Sequence, residues 1–131
     1  MLQKLSIPHE VRVISAHRTP DVAQTFATGA EDRGLQVIIA AAEKAAHLAG
    51  VPMSTSDMGG LDSLLSMVQM PAGIPVGTVA IGEAGAKNAA LLAVSILALS
   101  DIGLSNELKT FRQQMRTEVE AADAEISNMP N

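Results

Sequence analysis

Two rhythms of apolar and polar positions alternate along the chain. Glu10 to Ile14 (EVRVI) is rich in β-branched residues and predicts a strand. It runs into Ser15-Ala16-His17-Arg18. A helix is expected from Thr19, which suits an N-cap, with Pro20 at the first helical position and Asp21 at the positive end of the dipole. That helix should extend to about Arg33 and stop at Gly34. Leu35 to Ala41 is a short continuous apolar run and predicts a strand buried on both faces. Ala42 to Gly50 reads as a loop running into a helix, and Val51 to Gly60, with its Pro, Ser, Thr, Asp and Gly, as a loop.

Helical spacing returns at Leu61, Leu64, Leu65 and Val68, which predicts a helix over Leu61 to Met70, ended by Pro71-Ala72-Gly73. Pro75 to Ile81 predicts a third strand and Gly82 to Gly85 a turn. Ala86 to Leu99 is apolar nearly all round, so it should be buried in the domain or against a partner chain. Asn106 to Ala122 predicts a charged amphipathic helix, and the tail from residue 125 should fray. The alternation argues for an α/β domain with a largely parallel sheet, single over residues 1–124. Three strands are thin for an open sheet, so the chain reads as incomplete or obligately oligomeric.

Composition narrows the function. With 47% hydrophobic but only 2% aromatic residues, the core must be built from Ala, Leu, Ile, Val and Met. A net charge of -5 and two Phe argue against nucleic-acid binding. No cysteine is present, so neither a disulfide framework nor a thiolate metal site is expected. The opening MLQKLSIPHE lacks a signal-peptide core, and the longest apolar candidate, Ala89 to Leu99, is too short to span a membrane. A cytoplasmic protein without membrane contact is the expectation.

The strongest candidate chemistry follows the first predicted strand. Ligands of open α/β sheets bind beyond the carboxyl ends of the strands. Arg18 with the helix N-terminus can hold a phosphate, and His17 beside it can exchange protons near neutral pH. The competing reading makes both ordinary loop residues, with Arg18 paired to a surface carboxylate. His47, after the second predicted strand, suits either the same edge or a hydrogen-bonded structural role. His9 lies at the opposite edge and reads as surface. Met67, Met70 and Pro71 read as packing, and Asp62, near Asp57, as a helix cap.

Taken together, Ser15-Ala16-His17-Arg18-Thr19-Pro20-Asp21, Ala45-Ala46-His47-Leu48, Gly60 to Pro71 (GLDSLLSMVQMP) and Gly73 to Gly82 (GIPVGTVAIG) resemble, in order, four motifs of the class I N5-carboxyaminoimidazole ribonucleotide mutases. The resemblance covers Met1 to about Glu118. It implies a three-layer α/β/α, flavodoxin-like fold with a parallel sheet, assembled as a homo-octamer with sites between subunits. It implies a ribonucleotide substrate whose carboxylate moves from nitrogen to carbon in purine biosynthesis. His17 would be the catalytic proton carrier. Arg18 would bind the substrate phosphate. Ser15 and Ala16 would line the nucleotide site, and Ala42, His47 and Leu48 would cover the base and ribose. No metal or organic cofactor is implied.

The chain also departs from that pattern. It starts inside the helix that follows the family's Gly-Ser-x-Ser-Asp loop, so the first strand is lacking. His47-Leu48-Ala49-Gly50 runs straight into Val51-Pro52, where the family has a helix and a strand, on the order of fifteen residues more. A break at Gly50/Val51 is therefore expected. Glu43 and Lys44 replace glycines of the family loop. Two alternatives accompany the mutase reading: the carboxylase reaction of the same family, which uses free carbon dioxide, and an inactive oligomerisation module.

Overall fold

A computed structural model describes residues 1–42, 49–56 and 58–128. The chain divides into two compact units, residues 1–93 and 94–131. In chain order it forms a 3-10 turn (Gln3–Leu5), α1 (Pro20–Thr28), β1 (Ile39–Ala42), β2 (Ala49–Pro52), α2 (Leu61–Val68), β3 (Gly77–Thr78), α3 (Gly82–Leu97) and α4 (Ile102–Ser127). The strands form one sheet in the order β1-β2-β3, all parallel. This is the α/β class expected, with the parallel sheet of the three-layer, flavodoxin-like type.

β2 is the middle strand. Gly50 pairs with Ala40 on one side and Thr78 on the other, and the Gly50 carbonyl accepts from the Val79 amide at 3.1 Å. Val51 and Pro52 are fully buried. The sequence reading had placed a break at Gly50/Val51 and a loop from Val51 on; both residues instead sit consecutively in a strand. Pairing on both sides overrides the low strand propensity of Gly and Pro, and Pro52 sits at the strand's last position, where its missing N–H costs least. Only residues 43–48 connect β1 to β2, fewer than the dozen or more that a parallel crossover ordinarily takes.

The strand expected at Glu10 to Ile14 does not form. Among the described residues no backbone ladder pairs with it, and Val11 and Val13 are 82% and 101% exposed. Strand propensity needs a partner to become a strand. Glu10 is held instead by Arg33, at 3.1 Å. β1 is shorter than expected because β2 offers only four partners, and as an edge strand it is half-buried rather than covered on both faces.

α1 begins as expected, with Thr19 at the N-cap and Pro20 first, but ends at Thr28 with Gly29 as its C-cap rather than running to Arg33. Arg33 folds back to donate to the Gly29 and Phe26 carbonyls, at 3.1 and 2.9 Å, and lies 4.5 Å over the Phe26 ring. These contacts satisfy orphaned carbonyls at the helix end.

α2 packs on β2 and β3 through Ser63 and Met67, one turn apart and both fully buried. Met67 is packing, as read. Of the apolar positions whose spacing marked the helix, Leu61, Leu65 and Val68 are exposed. α3 starts at Gly82, where a turn was expected, because the chain enters the helix directly after Ile81. Gly85 makes that entry possible. A Cβ there would collide with the Ala80 carbonyl and come within 3.2 Å of Val51 Cγ1. Ala89, Ala90, Ala93 and Val94 are buried, while Leu92 and Ile96 are exposed. In the second unit, Asp101 caps α4 by accepting from the Leu104 amide at 3.0 Å, so the helix starts four residues earlier than expected and continues to Ser127. Leu104 and Leu108 form its buried stripe. No helix among the described residues is long and apolar enough to cross a membrane.

Two stability predictions follow from unit 1. Gly85→Ala should cost about 3 kcal/mol, since the backbone carbonyl it meets cannot rotate away. A urea midpoint equal to the parent's would refute the close approach. The Ser63 hydroxyl is buried with no hydrogen-bond partner among the described residues. Ser63→Ala should therefore leave the midpoint unchanged or raise stability by about 1 kcal/mol; a clear loss would show that the hydroxyl is satisfied.

Candidate active site

The three strands run the same way, so Ala42, Pro52 and Thr78 end along one edge of the sheet, the edge at which α/β sheets bind ligands. Ala42 holds that position, half-buried, and its carbonyl accepts from the Met53 amide at 3.3 Å. Beyond Pro52 the chain is drawn back to α2 by one side chain. The Thr55 hydroxyl donates to Asp62 Oδ1 at 2.7 Å and accepts from the Gly60 amide at 3.1 Å. Gly60, not Asp62, is the N-cap of α2, with φ +97°. Asp62 is the second residue of α2, in its first turn, and accepts from Thr55.

Ser15 to Thr19 forms a closed turn before α1. The Ser15 carbonyl accepts from the Thr19 amide at 2.7 Å and from the Thr19 hydroxyl at 2.9 Å. The Ser15 amide donates to Thr19 Oγ1 and the Arg18 amide to Ser15 Oγ, both at 3.1 Å. The hydroxyls of Ser15 and Thr19 thus brace the turn from inside, and Thr19 caps α1 through its carbonyl, which accepts from Ala23 at 3.1 Å, rather than through its side chain. A braced turn of this kind projects the three residues between its ends. Ala16, His17 and Arg18 are exposed, and neither the His17 ring nor the Arg18 guanidinium has a hydrogen-bond or ion-pair partner among the described residues. Among the described residues, the surface ion pair that the competing reading gave to Arg18 is not formed.

The arrangement offers a proton-exchanging imidazole next to a cation that can form two parallel hydrogen bonds to a phosphate. Among the described residues, no hydrogen bond or ion pair links the Ser15–Thr19 turn to β1. His47 and Leu48, with Glu43 and Lys44, lie outside the described residues, as does Asp57. His9 is exposed and its Nδ1 is 2.8 Å from the Ile7 carbonyl, a surface residue as read. Two bracing hydroxyls escaped the sequence reading. Thr19 had been assigned a cap only, though its spacing of four from Ser15 is a usable signal. Thr55 sits in a loop seven residues before its acidic partner, and no local pattern marks such a pair.

The family model described as AIR carboxylase matches residues 1–118. A protein named N5-carboxyaminoimidazole ribonucleotide mutase from Pseudomonas aeruginosa is 55% identical over 124 residues, covering 86% of this chain and 76% of that protein. Its namesake from Escherichia coli K12 is 52% identical over 127 residues, covering 88% of this chain and 75% of that protein. Another, from Mycobacterium tuberculosis H37Rv, is 47% identical, covering 98% of this chain and 79% of that protein. That last match spans 140 positions, more than the 131 residues of this chain, so the relative carries residues within the matched span that this chain lacks. With a match across both of its units, the chain belongs to the AIR carboxylase family.

Proposed function

We propose that this protein is an N5-carboxyaminoimidazole ribonucleotide mutase, an isomerase of purine biosynthesis, acting as one domain over residues 1–124. The observation that carries the reading is the braced Ser15–Thr19 turn, which presents His17 and Arg18 side by side and unpaired. The relatives' shared name supplies the reaction. Arg18 takes the substrate phosphate, and Ser15 and Ala16 form the wall beside it. Ala42, at the end of β1, begins the segment to which His47 and Leu48 belong, and that segment covers the base and ribose.

The chemistry asks little beyond a mobile proton. The carboxylate leaves the substrate nitrogen as carbon dioxide, and that nitrogen takes a proton. Ring carbon then attacks the trapped carbon dioxide and gives up its own proton. One proton is gained and one released, so a single imidazole at His17 balances the sequence, and proton transfer of this kind supplies on the order of 10²–10⁴ in rate. No cofactor is called for by these steps.

Assembly is the second part of the reading. Leu61, Leu65 and Val68 make an exposed apolar stripe on α2, and Leu92 and Ile96 another on α3. Apolar residues one turn apart and left in water mark surfaces awaiting a partner. A homo-octamer in the cytoplasm, with sites between subunits, accounts for them.

His17→Asn should lower conversion of N5-carboxyaminoimidazole ribonucleotide at least about 100-fold while leaving the sedimentation coefficient unchanged. Normal turnover would remove His17 from the chemistry. Turnover of the uncarboxylated ribonucleotide with bicarbonate, and none of the carboxylated one, would instead favour the carboxylase reaction. Leu65→Glu, on the exposed stripe, should shift sedimentation towards smaller species; an unchanged profile would take α2 out of the interface.

A further inference from the structure

α4 carries an apolar stripe that its own chain covers only at one end. Leu104-Leu108-Phe111 recurs eleven residues on as Met115-Val119-Ala122, and Ile126 begins a third round. Eleven residues make three turns at about 3.67 per turn, so the stripe runs nearly straight along one face of the helix. Leu104 and Leu108 are buried, which makes this a packing face where the chain reaches it. Further along the same face, Met115, Val119 and Ile126 are 51%, 70% and 68% exposed. Ala122 is exposed as well, and Phe111 is half-buried.

We infer that this face docks antiparallel on α4 of a second copy of the chain, about a two-fold axis beside Val119. The exposed stripe matches itself when turned end for end. With the axis between Glu118 and Val119, Phe111 falls opposite Ile126 of the other copy, Met115 opposite Ala122, and the two Val119 side chains meet. Charge selects the same direction. Residues 102–116 carry Lys109, Arg112 and Arg116 against Glu107, a net +2, whereas residues 117–127 carry Glu118, Glu120, Asp123 and Glu125, a net -4. A parallel pair sets like against like; an antiparallel pair sets basic against acidic. At 3.6 residues per turn, Arg112, Arg116 and Asp123 lie along one flank of the stripe and Glu118 along the other. Like flanks meet in an antiparallel pair, so Asp123 falls between Arg112 and Arg116 of the other copy. Arg116 already holds Glu120 of its own helix at 2.6 Å, an exposed pair that costs little to rearrange. On the opposite flank Glu118 faces its own counterpart at the axis, the one like-charge contact of the arrangement. This contact is separate from the stripes of α2 and α3 and stands whether or not the mutase reading does.

A disulfide can read the pairing, because the chain has no cysteine of its own. The full chain is oxidised with glutathione disulfide in two forms, Val119→Cys and Met115→Cys. Across the proposed axis the two position-119 thiols are offset by about 1.5 Å along the helix and the two position-115 thiols by about 10 Å. Val119→Cys should therefore give covalent dimer at least about tenfold faster than Met115→Cys. In the Val119→Cys background, Glu118→Gln should speed cross-linking and Asp123→Arg slow it, each about fivefold, since each change acts twice across the axis. Adding Arg112→Asp to Asp123→Arg should restore the rate to within about twofold. Equal rates in the two cysteine forms, or dimer in neither, overturn the antiparallel pair. A Glu118→Gln form no faster than Val119→Cys alone, or a failure of Arg112→Asp to rescue Asp123→Arg, overturns the register and with it the inference. Turnover is not a readout, so failure of the mutase reading leaves each of these outcomes unchanged.

Discussion

Everything in the first unit hangs on a four-residue strand with neighbours on both sides. β2 is the one strand paired twice, and the pairing is possible because its neighbours come close. Gly50 sits in both ladders, Val51 and Pro52 are fully enclosed, and Gly85 of α3 lies almost on the Ala80 backbone with Val51 beside it. A sheet this small has little area to lose. Its stability comes from tight approach of small residues rather than from large side chains, which is what a chain with 2% aromatics and many alanines can build. The same closeness aligns the three carboxyl ends, and so decides where a ligand can sit.

The helices were the legible part of the fold, because their signals are local. Thr19-Pro20 marks the start of α1, and the Gly60–Leu61 start and 3.6-residue spacing mark α2. The strands were less legible, because a strand is a relation between two segments. EVRVI has the better strand composition and stays unpaired, whereas Ala49-Gly50-Val51-Pro52 has a poor one and becomes the centre of the sheet. The orientation of α2 was not legible for a similar reason. Its more apolar face, with Leu61, Leu65 and Val68, is outside, and a serine and a methionine are inside. Periodicity shows that a helix has faces, but the neighbour decides which face is covered.

At the site, motif and geometry contribute different things. The pair His17-Arg18 could be read as chemistry straight from the sequence, because each side chain is chemically distinctive. The residues that hold the pair in place could not be, because hydroxyls are common and their work depends on distance. Ser15 and Thr19 spend their hydroxyls on the turn, which leaves the imidazole and the guanidinium with nothing in the described structure to bind. Thr55 spends its hydroxyl on Asp62 and Gly60, which closes the loop ahead of α2. In both places a short polar side chain satisfies backbone groups within its own loop. The side chains of His17 and Arg18 are thereby spared that task.

The apolar surface that remains bears on how the protein can persist as a folded molecule. In the described structure α1 buries none of its residues, Val11 and Val13 stand in water, and α2 and α3 each turn an aliphatic stripe outward. A monomer of this description would gain little hydrophobic free energy relative to the entropy of ordering the chain. On the octamer reading those stripes are covered, and association and folding become one equilibrium, so that stability depends on protein concentration. Catalysis would then share that dependence. A site that opens at the edge of a three-stranded sheet is shallow when the sheet stands alone, and a trapped carbon dioxide needs walls on more sides than one such edge provides. The surfaces that stabilise the fold and those that enclose the reaction would be supplied by the same neighbours.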